Sequence, residues 1–134
     1  MANGLSVALP LRIDSIDGAY GLHKDFEDLA QQNLKMLILT SPGERIMVPE
    51  FGVGIRSYLF EQNTPTTLLT IKENIAQQAK KYMPYIEIIE LEVYSPAVEG
   101  SALGDTNKAR VNIRIVFSVP AVNVISDLTI PVEV

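Results

Sequence analysis

The stretch TPTTLLTIKENIAQQAKKYMPYIEIIELEVY, residues 64–94, places a helical pattern directly before a strand pattern. Thr64 is a suitable N-cap, and Pro65 suits the first helical position because the N–H that proline lacks would have no helical partner there. Pro84 ends the pattern. The apolar side chains in between recur at helical spacing and predict one helix: Leu68, Ile71, Ile75, Ala79 and Tyr82.

After this helix the apolar period falls to two residues, which is typical of a strand. Ile86 and Ile88 share one phase, whereas Ile89, Leu91 and Val93 share the other. One extra residue near Ile88 and Ile89 therefore predicts a β-bulge that keeps the apolar face of the strand inward.

Two further alternating runs predict the rest of a sheet. The first extends from Ala109 to Val119, and the second extends from Leu128 to Val134. Pro131 lies inside the second run, and we predict an edge strand there because proline cannot donate to a central ladder. An edge strand leaves backbone groups unpaired, so it can accept a strand from a partner chain.

The N-terminal half adds a second helix and another extended segment. Asp25 is a candidate N-cap for a helix that ends near Thr40. Residues 5–13 alternate between apolar and polar and contain Pro10, which predicts an edge strand or an extended arm. We therefore predict an α+β domain with two main helices packed on a small, mainly antiparallel sheet with edge-type terminal strands.

Length and composition fit one packed domain. The chain has 134 residues, of which 47% are hydrophobic, and we expect a single domain over residues 1–134, with 1–20 as an N-terminal strand or arm and 120–134 as a C-terminal edge strand. A net charge of -5 disfavours a nucleic-acid partner. The absence of cysteine fits a reducing cytoplasm, and the longest aliphatic run, MLIL, is too short to cross a membrane.

The loop SPGERIMVPEFG, residues 41–52, raises the question of catalysis. Glu44 and Glu50 could act as a glycosidase pair, since such enzymes place two carboxylates about 5 to 9.5 Å apart. Surface loops are rich in glutamate, however, and the sequence shows no apolar pocket for a general acid. We favour a scaffold loop in which Glu44 pairs with Arg45, locally or between subunits, and in which the chain turns toward Phe60 as a core anchor. The residues that we expect to hold the shape of this region are Gly43, Glu44, Arg45, Pro49, Phe51 and Gly52 in the loop, and Phe60 after it.

No residue pattern indicates a cofactor or a metal. His23 is the only histidine, and we interpret it as a solvated loop residue. The motif FGVG, residues 51–54, lacks the lysine of a phosphate loop, so its glycines predict positive φ angles. For the charged residues of the late strands we favour cross-strand ion pairs over phosphate binding: Lys108, Arg110 and Arg114 opposite Glu87, Glu90 and Glu92.

Several motifs between Asn33 and Ile86 occur together: an N-x3-L start, a PGER and PEFG loop, LFE, and a helix that ends in Tyr-x-Pro. In this order and spacing they resemble the baseplate wedge family of contractile-tailed phages, the gene-25-like sheath initiators. Related subunits occur in type VI secretion, R-type pyocins and other contractile injection systems. The resemblance is carried by Asn33, Thr40, Gly43, Arg45, Pro49, Phe51, Gly52, Leu59, Phe60, Glu61, Tyr82, Pro84 and Ile86.

The resemblance implies a structural subunit of the virion tail baseplate, assembled in the cytoplasm of the bacterial host. Such a subunit docks on a helical core bundle of wedge proteins near the tail tube, which is a further candidate partner, and it templates the first ring of sheath subunits by strand addition. We expect the added strand at Leu128, Ile130, Val132 and Val134.

In the family, a Glu-Pro-Arg motif after the second helix makes the contact with the core bundle. The matching positions here are Met83, Pro84 and Tyr85, so only the proline is retained. We therefore expect an apolar contact through Met83 and Tyr85, beside Tyr82. Some members of the family carry a lysozyme label, which makes a peptidoglycan-cleaving enzyme with Glu44 and Glu50 the alternative.

Overall fold

The computed structural model describes residues 4–16, 18–61, 64–95 and 110–133, and its two long helices and three long strands follow the predicted order, whereas β2 was not predicted. A 3-10 turn at Pro120–Val122 connects the last two strands. The elements are β1 Ser6–Val7, β2 Leu22–His23, α1 Phe26–Leu39, α2 Ile55–Tyr58, α3 Pro65–Tyr82, β3 Glu87–Tyr94, β4 Arg110–Val119 and β5 Val124–Glu133.

The main sheet is antiparallel, with strand order β3-β4-β5. The central strand β4 buries every second side chain, and the helices lie against this face. The core combines the buried residues of the two long helices with the inward residues of β4: Ala30, Leu34, Leu37, Ile38, Ile71, Ile75, Ala79, Val111, Ile113, Ile115, Phe117 and Val119. The predicted α+β fold, with two main helices on a small antiparallel sheet, is therefore confirmed.

The predicted bulge in β3 is present. The register moves from Ile88 opposite Phe117 to Glu90 opposite Val116, so Ile89 has no partner on β4. Leu91 is half-buried as a result. The prediction that Ile89 shares the inward phase is wrong, because the bulged residue turns outward and is 58% exposed.

The last strand begins earlier than its alternating pattern suggests. Asn123 has a left-handed φ of 51°, and the 3-10 turn before it reverses the chain directly after β4. Val124 therefore pairs with Val119, and the pairing continues to Glu133 opposite Arg110. Within the described part of the chain, β5 pairs with β4 on one side. The other side of β5 is therefore an edge of the sheet.

Helix α3 begins as its sequence predicts. The hydroxyl oxygen of Thr64 accepts a hydrogen bond from the backbone N–H of Thr67 at 3.2 Å, and Pro65 is the first helical residue. Asp25 is the N-cap of α1, although its side chain makes no capping hydrogen bond. Among the described residues, no helix combines the length and apolar character that a bilayer span requires.

The N-terminal segment forms a small ribbon of its own. Its strand residues pair with β2 as Ser6 opposite His23 and Val7 opposite Leu22, and the ribbon is not part of the main sheet. The interpretation of His23 as a solvated loop residue is wrong, because it lies in β2 and its Nε2 is 2.6 Å from Oε1 of Gln32. Gln32 thereby attaches the ribbon to α1.

Candidate functional site

The loop that raised the question of catalysis closes the C-terminal end of α1. The backbone N–H of Val53 donates to the carbonyl oxygen of Leu37 at 3.0 Å, and that of Gly54 donates to Thr40 at 2.9 Å. These bonds satisfy carbonyl groups that a helix end leaves without helical partners. Gly52 has a φ of +112° and Gly54 a φ of +67°, so the predicted positive φ angles are confirmed at both positions.

Gln78 of α3 holds the same loop from the other side. Its Oε1 accepts from the backbone N–H of Gly52 at 3.2 Å, and its Nε2 donates to the carbonyl oxygen of Glu50 at 3.1 Å. Sequence reasoning missed Gln78. Its place between Ile75 and Ala79, on the buried side of α3, is the signal that could have identified it.

The tip of the loop is exposed and strained. Ile46 is 100% exposed and Met47 is 82% exposed. Val48 has a φ of +58°, which is costly for a β-branched residue. A hydrogen bond of 2.6 Å from the N–H of Gly43 to the carbonyl oxygen of Pro49 closes the loop across this tip and holds it in shape.

The two charged residues beside each other in the loop have different partners. A carboxylate oxygen of Glu44 accepts from the backbone N–H of Ser41 at 2.9 Å. The guanidinium of Arg45 lies over the ring of Phe51, 3.8 Å from its centroid. The expected local pair between Glu44 and Arg45 is therefore replaced in this chain by a backbone cap and a cation–π contact.

Phe60 does not anchor the core, and that prediction is wrong. Its side chain is 80% exposed, whereas Ile55 and Leu59 are buried. The single turn of α2 places Ile55 and Leu59 on one face, because they are four residues apart. The residue after Leu59 then points away from that face, which is why Phe60 faces solvent.

A groove of about 410 Å³ lies where the loop, α1 and the end of α3 meet. Phe51 and Tyr82 make an edge-type contact, with ring centroids 5.0 Å apart, and the guanidinium of Arg45 lies over the Phe51 ring. The apolar and aromatic lining consists of Leu9, Met36, Phe51, Tyr82, Met83 and Tyr85.

The predicted docking residues differ in their accessibility. Met83 is 4% exposed and packs with the core, so its side chain offers little surface to a partner, and the expected contact through it stays a prediction. Pro84 is exposed, and Tyr85 is 43% exposed with its hydroxyl accepting from Nδ2 of Asn33 at 3.0 Å. Tyr82 is half-buried, and its buried hydroxyl has no hydrogen-bond partner within the described residues.

The free edge of β5 borders a second groove, of about 310 Å³. Lys35 and Leu39 of α1 and Arg56 of α2 line its far wall, opposite residues 129–133. Ile130 and Val132 are 2% and 4% exposed, so their side chains lie in the core of this structure, and their contact with a partner stays a prediction. Leu128 is half-buried, and Val134 lies outside the described residues.

The other sheet edge, β3, also borders a groove, of about 670 Å³, which is lined by Ala76 and Lys80 of α3 and by Ile86 and Ile88.

On the open sheet face, the predicted pair between Arg114 and Glu92 forms at 3.8 Å. Both side chains are 49% exposed, so the pair contributes at most about 1 kcal/mol.

Arg110 pairs with a different strand from the one expected. It contacts Glu133 of β5 at 3.4 Å, whereas the prediction placed its partner on β3. Lys108 lies outside the described residues. The part of the chain that the structure describes contains no group of three or more His, Cys, Asp or Glu residues that could hold a metal ion.

Comparison with known proteins identifies relatives of this fold. The family model of baseplate wedge protein gp25 matches residues 24–123. Baseplate wedge protein gp25 of Enterobacteria phage T4 is 35% identical over 63 residues, which cover 47% of this chain and 48% of the phage protein. The match therefore spans about half the length of that relative.

Two solved structures share the fold. A crystal structure of a Geobacter sulfurreducens protein described as a candidate tail lysozyme has a TM-score of 0.67 and 25% identity, over 85% of this chain and 96% of that one. A chain of the baseplate of the anti-feeding prophage, solved by cryo-EM, has a TM-score of 0.66 and 24% identity, over 84% of this chain and 82% of that one. Since the family model matches most of the sequence, this chain belongs to the gp25 family of baseplate wedge proteins.

Proposed function

We propose that this chain is the baseplate subunit on which the first sheath ring of a contractile tail or injection machine is templated. It docks on the wedge proteins of the inner baseplate through Pro84 and Tyr85, and it accepts a sheath strand at the free edge of β5. It acts within the virion tail baseplate, after assembly in the host cytoplasm. Family membership supports the baseplate role, and the open edge of β5 carries the rest of the proposal.

The groove beside β5 supports strand addition. An incoming strand would meet unpaired backbone groups on one side and the apolar side chain of Leu39 on the other. Each backbone bond contributes roughly 0.5 to 1.5 kcal/mol net, so several bonds in register are enough to seat a strand. Lys35 and Arg56 on the far wall favour an incoming segment that carries carboxylates.

The position of Pro131 indicates which backbone groups of β5 face the free side. Pro131 has no N–H to donate and lies opposite Asn112 within an unbroken register, so we infer that its nitrogen faces the free side of β5. Backbone direction alternates along an antiparallel strand, so Thr129 and Glu133 have the same direction as Pro131. Their N–H groups are therefore the donors that an incoming strand would use.

A proline at one of these donor positions tests the proposal. Thr129→Pro removes an outward N–H and obstructs an incoming strand, and it leaves the ladder to β4 intact. Thr129→Val keeps the N–H and serves as the matched control. With cognate sheath and tube proteins, we expect sheath assembly to start normally on baseplates with the valine variant and to fail with the proline variant. Normal sheath on folded Thr129→Pro baseplates would contradict strand addition at β5.

The docking part of the proposal has its own test. Pro84 and Tyr85 are both exposed beside the groove at the end of α3, so removal of their side chains should weaken binding without loss of the fold. We expect Pro84→Ala and Tyr85→Ala to reduce incorporation into baseplates. Unchanged incorporation of both variants would contradict docking at this site.

A peptidoglycan-cleaving enzyme is the second candidate, because the Geobacter sulfurreducens protein with the same fold is described as a candidate tail lysozyme. Against it, the Glu44 carboxylate is engaged by the backbone of Ser41, and neither Glu44 nor Glu50 lines the grooves described above. A turbidity assay on peptidoglycan with wild type and Glu44→Gln separates the two functions. Robust wild-type lysis that the variant loses would favour the enzyme.

A further inference from the structure

The N-terminal arm, defined as residues 5–13, turns an apolar face to solvent. Its odd positions are apolar, a pattern typical of a strand with one buried face. In the folded chain, however, Leu5 is 44% exposed, Leu9 48%, Leu11 60% and Ile13 89%. Contiguous exposed apolar side chains are characteristic of surfaces that contact another molecule.

The arm is held in place on α1. The amide of Gln32 donates to the carbonyl oxygen of Val7 at 3.1 Å and accepts from the N–H of Leu9 at 2.9 Å. The N–H of Ala8 donates to Gly21 at 2.9 Å. The backbone around Leu9 is therefore ordered before any partner arrives, which lowers the entropic cost of binding.

The N-terminal arm reaches the groove at the end of α3 through Leu9. Leu9 lines that groove together with Met36, Phe51 and Tyr85. Among the described residues that line this groove, one carries a charge, and that residue is Arg45. Its stacking on Phe51 fixes the guanidinium beside the apolar walls. A partner that fills this surface would therefore combine apolar side chains with a carboxylate.

We propose that the arm and this groove form one docking surface for a segment of another baseplate protein, an apolar segment with a carboxylate that meets Arg45. The inference rests on the proposed docking at Pro84 and Tyr85, and it adds the N-terminal arm to that docking site. Residues 5–13 lie outside the range 24–123 that the family model matches, whereas the groove residues Met36, Arg45, Phe51 and Tyr85 lie within it.

The experiment measures binding to the purified wedge complex of the same baseplate, assembled without this subunit. Leu11→Ser and Leu69→Ser form a matched pair, because these leucines are 60% and 59% exposed and Leu69 lies on α3 away from the groove lining. We expect Kd to rise about tenfold for Leu11→Ser, to rise further when Ile13→Ser is added, and to change less than about twofold for Leu69→Ser. Arg45→Gln should also weaken binding and reduce its dependence on salt.

The outcomes distinguish this surface from the proposed docking site. If Tyr85→Ala weakens binding and the arm variants do not, the docking site stands and the arm inference is overturned. If Leu69→Ser weakens binding as much as Leu11→Ser, the effect is general apolar adhesion, which also overturns it. Sedimentation of the free protein provides a further test. A dimer that the Leu11 and Ile13 substitutions dissociate would show that a second copy covers the face, contrary to the proposal.

Discussion

Gly52 packs against the carbonyl group of Thr40 so closely that a Cβ atom at Gly52 would overlap the carbonyl oxygen. This approach brings the N–H of Gly54 to the same oxygen at 2.9 Å, so the loop is fastened to the last turn of α1. The contact also sets the position of Phe51, and with it the stacked Arg45 at the rim of the groove. A helix cap thus determines the shape of the candidate docking surface.

The first prediction concerns this close approach. Gly52→Ala should lower the free energy of unfolding by about 2 to 4 kcal/mol, because the new methyl group meets backbone atoms and the residue has a positive φ. Gly43→Ala is the control, since Gly43 has a φ of +86° but open space around its Cα. It should cost only about 1 kcal/mol. Equal losses in urea unfolding would show that crowding at Thr40 is unimportant.

A second prediction concerns the strained tip of the loop. Val48→Gly should stabilise the protein by about 1 kcal/mol, because glycine adopts a φ of +58° without the steric cost that valine bears. The same substitution at the neighbouring Ile46, which is fully exposed, should give no such gain. Thermal unfolding of the two variants provides the comparison, and a destabilised Val48→Gly would indicate that side-chain contacts outweigh the strain.

Truncation of Leu59 should lower stability much more than truncation of Phe60. Leu59 is 5% exposed and lies in the core, so Leu59→Ala should cost about 2 to 4 kcal/mol of stability. Phe60 is 80% exposed, so Phe60→Ala should change stability by less than about 0.5 kcal/mol. Chemical denaturation of both variants tests the phase of α2, and a large loss for Phe60→Ala would restore it as a core anchor.

Ser126 joins α1 to β5, and its loss should loosen that junction. Its hydroxyl accepts from Nε2 of Gln31 at 2.6 Å and donates to Oε1 of Glu27 at 2.8 Å, and the residue is 8% exposed. Ser126→Ala should cost about 1 to 3 kcal/mol, because both partners lose a bond in a partly buried site. Thr129→Ala, at an exposed position of the same strand, is the control, and equal effects on the melting temperature would contradict the role of the bridge.

The long elements could be predicted because local signals and packing agree. The cap at Thr64, the bulge near Ile88 and the edge position of the strand with Pro131 all follow from residue types and periods. Short elements were harder, because one helical turn fixes which neighbour is buried, as with Leu59 and Phe60. The accessibility of Met83 was missed for a similar reason: it depends on how the end of α3 meets the sheet.

Contacts between amide side chains and distant backbone could not be read from the sequence. Gln32 and Gln78 look like ordinary polar helix positions until the ribbon and the loop are packed against them. The groove that contains Leu9, Met36 and Tyr85 joins segments far apart in the chain, so no local pattern marks it. The candidate site was therefore predicted only in part, through Tyr85 and Pro84.

Hydrogen exchange at the edge of β5 tests the central claim most directly. On mixing with cognate sheath subunits, the amides of Thr129 and Glu133 should become protected, because an incoming strand supplies acceptors for N–H groups that face the free side. The amides of Ile130 and Val132 alternate with those of Thr129 and Glu133 and so should face β4, and we expect their exchange to change little. Protection that rises along β3 instead, or nowhere in the sheet while sheath subunits are bound, would contradict strand addition at β5.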